Sequence, residues 1–145
     1  MRHIISFLIY VASNLCTLTS HAQADLHIDI VNLRNGRGDI KLALFKSSIG
    51  FPQKDEKAIY KLVIPIKDQL ASFTFYKLPP GIYAFVAYHD ENGNDRLDKN
   101  FLGIPKEGIA ASNNARNMFG PPHFNDAKFS INNKEMRMKV RMTYW

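Results

Sequence analysis

The sequence predicts an all-β sandwich of about seven strands, and three observations carry that prediction. Short runs in which apolar and polar residues alternate recur between clusters of Gly, Asn, Asp and Pro, the pattern of sheets that bury one face. No window of a dozen residues sustains apolar spacing at three and four, so helix is nearly absent. One run, residues 82–89, is apolar on both faces, as a strand in the middle of a covered sheet must be.

The strands are expected only after a leader. Arg2 and His3 precede a short apolar run, and Ala22-Gln23-Ala24 supplies small residues before Asp25, so residues 1–24 read as a signal peptide cut before Asp25. The apolar run is too short and too soon broken by Ser13 and Asn14 to span a bilayer. Residues 25–145 are then one domain of ordinary size, secreted or periplasmic. Cys16, the single cysteine, leaves with the leader, which excludes disulfides, thiolate metal sites and a cysteine nucleophile. Removing Arg2 from the 19 basic residues leaves 18 against 13 acidic ones, a balance of +5. That charge favours an anionic partner such as an envelope polysaccharide, another anionic extracellular ligand or a membrane surface.

Leu26, Ile28 and Ile30 alternate with His27 and Asp29 in the first strand. Asn35-Gly36 and Gly38, which tolerate positive φ, precede a second strand with Ile40, Leu42 and Leu44 on one side, so these two are expected to pair as a hairpin. The third and fourth strands are AIYKLVIPI and LASFTFYKL, and the fifth, IYAFVAYH, is central. AKFSI and EMRMKVRMTY are expected to pair around Asn132-Asn133, with Met136, Met138, Val140 and Met142 inward and Arg137, Lys139 and Arg141 outward. A basic stripe of that kind usually protects an edge strand. It lacks the interleaved aromatics of an RNA-binding face, and no phosphate-cradling glycine motif occurs, so no nucleic-acid partner is expected. The regular spacing breaks at residues 90–126, a long Gly-, Asn- and Pro-rich loop. Loops of that length are functional or tied down by something other than regular structure.

The loop opens with HDENGNDRLD, residues 89–98, which holds four carboxylates, two asparagines and a glycine. Asp90, Asn92 and Asn94 fall at alternate positions, Asp98 follows, the Arg96 carbonyl adds a backbone oxygen and Glu107 is the candidate closing ligand. Hard oxygens in this pattern suit calcium. The match to an EF-hand is partial, since Gly93 is at the fourth position instead of the sixth and Phe101 is at the twelfth. Asp90, Glu91, Asp95 and Asp98 crowd negative charge that only Arg96 and Lys99 offset locally, a repulsion that a divalent cation relieves. The same composition also builds a turn that satisfies its own backbone through Asx hydrogen bonds.

A hydrolase would need a positioned base. His89, beside Asp90, is the candidate, with a loop carboxylate (Asp90 or Glu107) and Ser112. His27 and His123 are too scattered to join it or to form a zinc site, so a non-enzymatic binding or structural role is the expectation. Farther along, Lys106-Glu107 and Ser112-Asn113-Asn114 are either a polar recognition surface anchored by Ile104, Met118, Phe119 and Phe124, or an ordered connection that satisfies backbone groups.

HDENGN, LGIPKEG, SNNAR and GPPHFNDAKF, in that order and spacing, closely resemble a secreted bacterial family known as domain of unknown function 2141. The resemblance spans nearly all of the chain after the leader and is most specific over residues 83–129. It implies an immunoglobulin- or transthyretin-like sandwich, similar to carboxypeptidase-regulatory domains, in which Pro80-Gly81-Ile82-Tyr83 turns into the central strand. It implies no reaction. Asp95 stands where the family pattern expects a glycine, which adds an oxygen and removes easy access to positive φ.

Overall fold

The computed structural model describes residues 23–145, so the expected leader lies, but for its last two residues, outside the described residues. Eight strands form two sheets: β1 (Ala24–Val31), β2 (Asp39–Phe45), β3 (Tyr60–Pro65), β4 (Ala71–Leu78), β5 (Gly81–Asp90), β6 (Ile109–Ala111), β7 (Phe129–Ile131) and β8 (Met136–Arg141). The one α-helical segment among the described residues, α1 (Phe124–Ala127), is a single turn. The all-β sandwich predicted from alternation is the observed fold.

The smaller sheet has the order β4-β1-β8, with β1 antiparallel to β4 and parallel to β8. The larger has the order β3-β2-β5-β6, and β7 pairs with β5 beside β6. β5 is central as predicted. One of its edges carries β2 along its whole length, and the other is shared by β7 at Gly81–Tyr83 and β6 at Val86–Tyr88.

Alternation sets the core. Leu26, Ile28 and Ile30 of β1 face Ile40, Leu42 and Leu44 of β2 and Tyr83, Phe85 and Ala87 of β5, all buried. Truncating one of these, as in Leu42→Ala, costs about 2–5 kcal/mol. The Pro-Gly turn into β5 is pinned by Tyr83, whose buried hydroxyl donates to the Pro79 carbonyl at 2.8 Å. At the same end of the sheet, where Phe45 pairs with Ala84, Phe45, Phe51 and Phe124 form an edge-to-face stack with centroids 5.3 and 5.5 Å apart.

Two expectations are corrected. β1 and β2 do not form a hairpin. Both edges of β1 are taken by β4 and β8, so residues 32–38 cross to the other sheet. Asn32, at φ 65°, starts the crossing, and its amide donates to the Met142 carbonyl at 2.8 Å. β7 and β8 likewise part, one to β5 and one to β1. Residues such as Asn and Gly that permit positive φ mark a change of direction and do not by themselves specify which sheet the chain enters. The strand count agrees with the expected number of about seven, the long loop adding β6.

Candidate functional site

The distinctive chemistry gathers where β5 ends. Asp90, fully buried, accepts the Asn94 N–H on Oδ1 at 3.1 Å and the Asp95 N–H on Oδ2 at 3.0 Å. Glu107, also buried, accepts the Glu91 N–H on Oε1 and the Asp98 N–H on Oε2, each at 3.0 Å. Two carboxylates therefore clamp four backbone donors at the head of the loop, a use of buried charge that hydrogen bonds to the ionised form make tolerable. Gly38 closes the third side. At φ 65° it lies so near the end of β5 that a Cβ there would sit 1.8 Å from the Asp90 carbonyl oxygen.

Inside this frame the Asp98 carboxylate receives the Asn92 amide at 2.7 Å and the Asn94 amide at 3.1 Å. The asparagine oxygens are fixed in turn by the Asn94 and Arg96 N–H groups. Asp95 adopts φ 61°, a left-handed conformation that glycine takes more easily, and its carboxylate pairs with Lys41 Nζ at 2.5 Å. Lys41 also approaches Asp90 at 3.6 Å. Arg34 pairs with Glu91, which also accepts the Asn35 amide at 2.7 Å. Burial pushes the Glu91 carboxyl up, but the bonds from Arg34 and Asn35 outweigh it and hold the group below the usual carboxylate range. Hydrogen bonds from Asn94 and Asn92 hold Asp98 below that range as well.

Asp90, Asn92, Asn94, Asp98 and Glu107, five of the six expected calcium ligands, thus meet in one network, and Arg96 enters it through its N–H. Their chemistry suits a hard cation, but the donors they face are N–H groups of the protein. A cation here would replace the bonds between Asp98 and the two amides. Lys41, Arg34 and Gly38 were not legible as members of the site. They join it only through the crossing at residues 32–38 and the register that sets Asp39 against Asp90 and Lys41 against Tyr88.

The residues named for hydrolysis are engaged elsewhere. His89 is fully buried. Its Nε2 lies 2.7 Å from the Arg37 carbonyl, so this nitrogen donates, and Nδ1 accepts from the Tyr144 hydroxyl at 2.8 Å. Those two bonds use both nitrogens of a neutral imidazole. Tyr144 accepts in turn from the Arg34 N–H at 3.2 Å, and burial pushes its phenol pKa up. Ser112 is also buried, accepting from the Phe85 N–H at 3.0 Å and donating to the Ala127 carbonyl at 2.6 Å.

The segment Ser112-Asn113-Asn114 is an ordered connection whose side chains satisfy backbone groups. The Asn113 amide donates to the Ala127 and Lys128 carbonyls at 3.2 and 2.8 Å, and Asn114 Oδ1 accepts from the Arg141 N–H of β8 at 2.8 Å. Of the expected apolar anchors only Phe124 packs inward, against Phe51. Ile104, Met118 and Phe119 are exposed. Nothing in their hydropathy distinguishes an anchor from a projecting tip.

A family model described as an uncharacterized protein conserved in bacteria, DUF2141, matches residues 28–139. That span runs from Ile28 in β1 to Lys139 in β8 and so includes the clamp and the polar pins. No curated protein and no solved structure matches the chain.

Proposed function

Given that the chain belongs to the bacterial family DUF2141, we propose that it is a non-catalytic module of the periplasm or extracellular space. In this proposal residues 1–24 direct export, and the cap clamped by Asp90 and Glu107 presents a surface to an anionic envelope ligand. One observation carries the proposal: the polar groups of this end of the sandwich are spent on the protein's own backbone and side chains. His89 and Ser112, the groups with catalytic chemistry, hold Arg37, Tyr144, Phe85 and Ala127. A buried base with both nitrogens bonded has no route to a substrate proton. The basic balance of the chain supports an anionic ligand.

The test is to purify the exported chain and screen it on immobilised anionic and neutral glycans and on ester and glycoside substrates. Retention by anionic surfaces alone, without turnover, is the expected result. Turnover that His89→Gln abolishes would overturn the proposal.

A second proposal, calcium as the organiser of the loop, is favoured by the convergence of Asn92, Asn94 and Asp98 within 3.1 Å. Asp90, Asn92, Asn94, Asp98, Glu107 and the Arg96 carbonyl would hold the ion, which would neutralise the crowded carboxylates. Elemental analysis of the purified chain and its melting temperature in millimolar calcium separate the two. A metal-free chain with an unmoved melting temperature supports the self-bonded cap, and a rise supports calcium.

A further inference from the structure

We propose that the hairpin of residues 99–106 docks this domain on an anionic lipid bilayer. The hairpin reads KNFLGIPK. Its two lysines stand at its base, its apolar residues lie between them, and it holds no carboxylate. Phe101 is 94% exposed and Leu102 69%, with Ile104 beside them. This exposure is built in by the fold. Asn100 Oδ1 accepts the N–H groups of Leu102 and Ile104 at 2.9 and 3.0 Å, and the Asn100 N–H donates to the Ile104 carbonyl at 2.8 Å. Below them Lys99 bridges to Pro105, and the Lys106 N–H donates to the Asp98 carbonyl at 2.9 Å. The tip is thereby fixed to the clamp at Asp98 and Glu107, and its apolar side chains are held out in water.

Charge identifies the occupant. Among the described residues neither Lys99 nor Lys106 is in an ion pair. Of the nearby carboxylates, Asp95 is paired with Lys41 and Glu91 with Arg34, while Asp98 accepts two neutral amides and keeps its charge near Arg96 and Lys106. The hairpin therefore presents two exposed lysines, neither in an ion pair, behind an apolar point. That arrangement fits a bilayer, where Phe and Leu enter the acyl boundary while lysines reach the anionic headgroups. A projecting tip of a few side chains is too small for a stable protein interface, which buries about 1,000 Å² or more. A second copy of the chain would bring like charges together at the same point.

This inference rests on the proposed export and names the anionic ligand as lipid. The glycan and substrate screens test the broader proposal separately, so vesicle binding can fail without it. The experiment is co-sedimentation with vesicles of phosphatidylglycerol and of phosphatidylcholine. The same chain is exported from one host as wild type, F101S/L102S and K99Q/K106Q, so residues outside the hairpin contribute equally. Wild type is expected to sediment with phosphatidylglycerol in preference to phosphatidylcholine. F101S/L102S is expected to lose about tenfold or more in partition, and K99Q/K106Q to lose about tenfold of the anionic preference, both with unchanged melting temperature. Absence of wild-type binding to phosphatidylglycerol, binding retained by F101S/L102S, or an unchanged preference in K99Q/K106Q overturns the inference. So does concentration-dependent self-association that F101S/L102S abolishes.

Discussion

Asp95 occupies a left-handed turn position at φ 61°, where a side chain carries a steric cost that glycine avoids. Its N–H bonds to Asp90 and its carboxylate to Lys41, and these hold the residue in that conformation. An exposed ion pair contributes at most about 1 kcal/mol, comparable to the cost of a left-handed non-glycine residue. Asp95→Gly and Asp95→Ala both lose the pair, but only Ala keeps the steric penalty. Denaturant unfolding should therefore find the Gly variant more stable than the Ala variant by about 1 kcal/mol. The residue type at position 95 was legible as a departure. Its partner Lys41 was not, because the two are separated by 54 positions in the chain and meet only through the β2–β5 pairing.

Among the elements, long strands were the readable ones. β1 and β2 alternate, β5 is apolar on both faces, and these with β4 run seven to ten residues each and follow their predicted positions. β6, with three residues, Ile109–Ala111, is too short for period-2 alternation to stand out. Its place is set by Ser112, which ties it to β5 and α1. The loop at residues 90–98 was legible as an organised element from its Asx-rich composition. Which donors its carboxylates face was not, since Asp and Asn serve cations and N–H groups alike.

That loop carries an acid-dependent stability. The ordinary pKa values of Asp98 and Glu91 are 3.8 and 4.5, and both are lowered in the folded chain. A carboxylate lowered on folding stabilises the native state above its unfolded pKa, and loses that contribution as pH falls through the folded value. The melting temperature should therefore fall as pH drops below about 4.5, and Asp98→Asn, which cannot titrate, should show a shallower fall. An acid limb identical to that of wild type would contradict the role given to Asp98.

For the molecule as a whole, the sandwich follows from the alternation, but its topology depends on which edges are free. β1 is occupied on both sides, once by an antiparallel and once by a parallel neighbour, so the chain crosses between sheets before and after it returns as β8. That crossing brings Arg34, Arg37 and Gly38 to the end of β5, where His89 and Tyr144 fasten the connection. The cap is thus continuous with the core: Asp90 ends its central strand and Glu107 begins the return into β6. The central claim is that these two buried carboxylates, through four backbone N–H groups, hold the cap in place.

Amide hydrogen exchange tests it most directly, comparing wild type with Glu107→Gln, which keeps the shape of the side chain but offers one oxygen in place of two. In wild type the Glu91, Asn94, Asp95 and Asp98 amides should be protected. In the variant at least one of Glu91 and Asp98, the one left facing the amide nitrogen, should lose protection while Asn94 and Asp95, held by Asp90, retain it and β1 is unchanged. Unprotected Glu91 and Asp98 amides in wild type, or protection that Glu107→Gln leaves intact, would contradict the claim.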